Sequence, residues 1–158
     1  MIGKVVLGIL VNLWPQTPAV AAELRVQVEI FDWNSREPAP KGAFGLPKIP
    51  ENAKPAVSFG VKVIPGTPFA ADVIVASRKF ELSGTVKRAV EKAHMASVRF
   101  LSENSRGEER REITTDIKLS PNVPIIIGGS TSTSTHRGAD FYSHWVMRVK
   151  IVKEDLVK

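Results

Sequence analysis

The chain has 158 residues, of which 43% are hydrophobic, 24% charged and 7% aromatic, with a formal net charge of +6. That is enough material for one globular domain with its own core, and it excludes collagen-like, coiled-coil and multi-pass membrane architectures. The absence of cysteine removes disulfides, thiolate metal sites and thiol nucleophiles.

Residues 1–22 read MIGKVVLGILVNLWPQTPAVAA: one early cation at Lys4, an apolar run over residues 5–14, a Pro15/Pro18 break, then Ala19-Val20-Ala21. That order is the n-region, h-region and small-residue cleavage site of a signal peptide. The run is about half the length a helix needs to cross the hydrocarbon core, so no transmembrane span is expected after cleavage. Cleavage after Ala21 would leave residues 22–158 as a single β-domain at net +5, since Lys4 is the only charge removed. The competing reading makes residues 5–13 the buried first strand of a cytosolic protein.

Leu24, Val26, Val28 and Ile30 alternate with Arg25, Gln27 and Glu29, the period-2 pattern of a strand with one wet face. From about residue 32 to 55, Pro38, Pro40, Pro47 and Pro50 break the pattern, which predicts a long surface loop. Trp33, Phe44, Leu46 and Ile49 argue that this loop docks on the body. Alternation returns at Val57–Val63, at Phe69–Val75 after a Pro65-Gly66 turn, and at residues 80–86. Further strands are predicted at residues 97–101, 113–119, 123–127 and 141–152. The spacing of Val86, Ala89, Val90 and Ala93 fits either one short helix near 86–94 or a charged hairpin loop. About eight strands without long helices predict an all-β fold, an antiparallel β-sandwich or a small barrel.

No catalytic constellation emerges. His136, Asp140 and His144 are the one set that could gather around a metal, which would make a metal-assisted hydrolase the alternative reading, but their spacing matches no zinc pattern. Strand parity predicts that His144 is exposed. The Ser/Thr tract 130–135 reads as a solvated loop beside His136, without a nucleophile elbow. Arg106, Glu108, Glu109, Arg110, Arg111 and Glu112 read as a mutually compensating hairpin tip. Neither phosphate-loop glycine pattern occurs, and no cofactor is expected. The basic excess is spread along the chain, without the interleaved aromatics of nucleic-acid-binding sheets, so nucleic acid is not an expected partner of an exported chain.

Residues 112–119 (EITTDIKL) run through Ser120-Pro121-Asn122 into residues 123–129 (VPIIIGG). This segment resembles the strand, turn and Gly-Gly-ending strand of the outer-membrane domain of bacterial secretins. The resemblance implies a sheet module used for subunit contact. Secretin subunits carry further periplasmic modules and a longer membrane domain that this sequence does not match, so the implication does not extend to pore formation. The expected function is that of an exported, periplasmic or secreted β-domain acting through its surfaces on a protein, an acidic glycan or another envelope component. A secretin-like assembly subunit that associates with its own kind through strand edges is a further alternative. The loop 32–55 and the segment 128–141 are the expected contact regions, and Trp33, Phe44, Arg137 and Tyr142 the expected contact residues.

Overall fold

The computed structural model describes residues 23–88 and 93–154. The signal-like residues 1–21 lie outside the described residues. Eight strands follow in chain order: β1 (Glu23–Ser35), β2 (Val57–Val63), β3 (Pro68–Val75), β4 (Arg78–Arg88), β5 (His94–Asn104), β6 (Arg110–Leu119), β7 (Ile125–His136) and β8 (Ala139–Glu154). They form two antiparallel four-stranded sheets, ordered β2-β1-β8-β7 and β3-β4-β5-β6. The sheets stay separate, so of the two expected architectures the sandwich is the one adopted.

The alternation read in the sequence fills the space between the sheets. On β1 the even positions point inward, and the register sets Val26 between Val61 and Ile151 and Val28 between Phe59 and Val149. In the facing sheet Leu82 lies opposite Phe100 and Val86 opposite Ala96. Phe80, Phe100 and Trp145 bridge the two layers as tilted rings with successive centroids 6.3 Å apart. Burying such side chains stabilises the fold by roughly 1.5–3 kcal/mol each before chain entropy is subtracted.

Four expectations are corrected. The loop begins at residue 36 rather than 32, because β1 continues through Asp32, Trp33, Asn34 and Ser35, paired with residues 142–145 of β8. The short helix near 86–94 is absent from the described part of that segment: β4 runs to Arg88, which pairs with His94, as a hairpin requires. Residues 89–92 lie outside the described residues. The Ser/Thr tract 130–135 is a strand, each residue paired with β8; small β-compatible hydroxyl side chains suit an exposed strand, and the pattern lacked contrast only because both faces are wet. The Gly-Gly pair does not end its strand but lies inside β7, which belongs to the other sheet from β6.

Two hairpins turn on two residues each, both with positive φ: Ala76 and Ser77 between β3 and β4, Arg137 and Gly138 between β7 and β8. Such turns match the right-handed twist of the flanking strands. The outer face of the β3-β4-β5-β6 sheet is wet and laced with ion pairs, Lys79–Glu81, Arg99–Glu112 and Arg110–Glu112 among them. The outer face of the other sheet is different. Phe31, His144 and Val146, all at outward positions, are buried, and Arg148 lies over the Phe31 ring, 4.7 Å from its centroid.

Candidate functional site

Strand parity sends Trp33, His144 and Thr131 to the same outer face, on β1, β8 and β7, where the register makes them neighbours. His144 is fully buried there, against the exposed position expected for it. The outward face at this point is closed by aromatic and hydroxyl side chains instead of water. Trp33 stacks on the imidazole with centroids 5.0 Å apart and planes 29° apart, and Tyr142 lies parallel to it at 6.3 Å. Ser35 Oγ is 2.8 Å from Nε2 and Thr131 Oγ1 is 3.0 Å from Nδ1.

Ser35 has one hydroxyl proton, and it is donated to the Glu37 carbonyl oxygen. Both ring nitrogens of His144 thus have a hydroxyl partner, Ser35 at Nε2 and Thr131 at Nδ1. With stacked rings on its faces and hydroxyls at both nitrogens, the imidazole fixes the orientation of Trp33.

Beyond Trp33 and Ser35, the chain folds back so that residues 37–40 and 48–51 enclose a cavity of about 430 Å³. Pro38, Pro40, Ile49 and Pro50 contribute aliphatic walls, and Glu37, Lys48 and Glu51 contribute charged groups. The loop is held by bonds of its own, Gly42 N–H to the Leu46 carbonyl at 2.7 Å and Lys48 N–H to the Pro40 carbonyl at 2.8 Å. At its far end Ala56 N–H returns to the Ile30 carbonyl at 2.7 Å.

A second opening of about 600 Å³ lies along the seam between β6 and β7, lined by Ile113, Ile127, Gly128, Gly129 and Trp145, with Arg110 and Arg111 on one side. The Arg111 guanidinium sits 5.2 Å from the Trp145 ring centroid. A β-carbon on Gly128 would fall 2.2 Å from Ile113 Cδ1, so any side chain there would have to push that terminal methyl aside. Phe44 stands at the mouth of this seam, 89% exposed and with a left-handed φ of 57°.

Of the four expected contact residues, the structure brings Trp33 and Tyr142 together around His144, and places Phe44 at the other opening. Arg137 occupies the exposed β7–β8 turn. His136 and Asp140 flank that turn, where Asp140 accepts from Thr135 Oγ1 at 2.6 Å. His144 lies five positions further along β8 than the residue paired with His136, roughly 16 Å away at strand rise. The three do not converge, and among the described residues no group of three His, Asp or Glu is placed to hold a metal ion. Sequence reasoning missed Ser35 and Thr131, which carry no motif; the only trace of their role was a histidine at an outward strand position between aromatic residues.

No protein-family model and no curated protein matches the sequence. The fold does have a counterpart among solved structures. It is similar to the secretin InvG of the Salmonella SPI-1 type III secretion injectisome, residues 176 to the end, in the open gate state, with a TM-score of 0.51 at 8% identity. The match covers 87% of this chain and 62% of that one, so this chain spans less than two thirds of the length of its structural neighbour. The chain has a secretin-like fold.

Proposed function

We propose that this protein is a secretin-like envelope module that works by adding the edge of β7 to a neighbouring chain, with no chemistry of its own. The observation that carries the reading is the edge itself. β7 is the outermost strand of its sheet, and residues 125–135 include no charged side chain. Native edges are ordinarily blunted by charge, proline or bulges. β6 carries five charged residues, β3 opens on Pro68 and contains Asp72, and β2 contains Lys62. β7 has a bulge between Ile126 and Gly128, which guards its first third only. From Gly129 to Thr135 the backbone donors and acceptors on the outer side are available for strand addition. The likeness to a secretin fold and the signal-like residues 1–21 support an address in the cell envelope.

The chain contains no cysteine, so a single introduced thiol reports contacts cleanly. Cysteine placed at Ser132, Thr133 or Ser134 is expected to give disulfide-linked dimers under mild oxidation, at concentrations where cysteine at the exposed Ser105 of the β5–β6 turn gives none. Equal, low yields at both places would contradict pairing through β7.

A further inference from the structure

We propose that the cavity beside Trp33 is a binding site for a pyranose ring of an uncharged glycan. Trp33 is the only aromatic residue in the cavity lining, and it is half-buried, fixed from within by its stack on the buried His144. His144 is itself held at both ring nitrogens, by Ser35 and Thr131. The indole thus loses little freedom when a ligand arrives, which is the condition under which a single aromatic contributes most to affinity. A volume of about 430 Å³ lies in the small-ligand range of roughly 300–1,000 Å³.

A sugar ring presents an apolar C–H face and a rim of hydroxyls. The cavity offers the complement: an indole face and the aliphatic Pro38, Ile49 and Pro50, with Glu37, Lys48 and Glu51 at the polar positions. None of these three is held in an ion pair with another described residue. Hydroxyls satisfy carboxylates and an ammonium alike, since they donate and accept. Two carboxylates against one ammonium leave the lining net negative, which disfavours the acidic glycans that the overall basic charge suggests. A proline-rich peptide would need a row of aromatic slots, where this cavity has one.

The test is titration of the full chain with cellotetraose and with chitotetraose, followed by calorimetry and tryptophan fluorescence. Saturable binding is expected with a dissociation constant of about 1 mM or tighter. Trp33→Ala should weaken it roughly tenfold or more, and Trp33→Phe should retain part of it. Glu51→Gln, at an exposed position that leaves the core untouched, should weaken binding several-fold without lowering Tm, and Met95→Ala on the far sheet should change nothing. Absence of saturable binding by either sugar up to about 10 mM would overturn the proposal. So would binding that survives both Trp33→Ala and Glu51→Gln, or a proline decapeptide that binds this cavity in place of the sugars.

Discussion

His144 shows how one side chain sets the character of a surface. It lies at an outward strand position, yet it is buried because Trp33 and Tyr142 stack with its ring and two hydroxyls meet its nitrogens. Removing either hydroxyl strands a polar ring atom away from water, which costs the desolvation of that atom. Thr131→Val, nearly isosteric, is therefore expected to lower stability by about 1–3 kcal/mol in chemical denaturation, far more than the same change at exposed Thr114. A second histidine makes the molecule sensitive to acid. Burial first, and the neighbouring Arg88 second, hold the His94 pKa below its ordinary 6.5. Its Nδ1 is buried without a hydrogen-bond partner among the described residues. The unfolded chain takes up this proton first, so stability contributed by neutral His94 is complete above about pH 6.5 and is lost as pH falls toward the depressed folded value. His94→Asn should flatten the fall in Tm between about pH 7 and 5 relative to the parent chain.

At the scale of elements, what was legible followed the contrast between faces. β1 to β6 each place apolar residues on one buried face, and period 2 finds such strands without help from tertiary structure. β7 has hydroxyls on both faces over residues 130–135, so it carried no contrast and read as a loop, although its ladder to β8 is continuous. The last four residues of β1 were obscured by the prolines that follow. The site was half legible: Trp33 and Tyr142 stand out as large aromatics, whereas Ser35 matters only through a pairing with residues over a hundred positions away, and Thr131 only through the register of the β7–β8 hairpin. The β3–β4 turn carried no turn signal of its own, and its strain was hidden too, since Ala76 and Ser77 both adopt a left-handed backbone with φ of 48° and 63°. Side chains with a β-carbon make that conformation unfavourable by roughly 1–2 kcal/mol per residue. Replacing the pair by Asn-Gly is expected to stabilise the fold by about 1–2 kcal/mol, measured as a higher denaturation midpoint with unchanged slope; no gain would mean that the turn is not strained.

For the whole molecule, the sandwich encloses its core but leaves its sheets open at the edges. Three of the four edge strands carry charge or proline, and β7 does not carry either between residues 125 and 135. The Trp33 cavity opens between β1 and the loop that follows it, so recognition of a sugar and addition of a strand would use separate surfaces of the domain. Strand addition through β7 is read directly from the molar mass of the purified full chain in solution by light scattering, across micromolar concentrations. It should be compared with a Ser132→Lys/Ser134→Lys variant, whose edge is guarded by charge. The parent chain is expected to associate with rising concentration and the variant to stay monomeric. A monomer throughout for the parent, or equal association of both, would contradict assembly through β7.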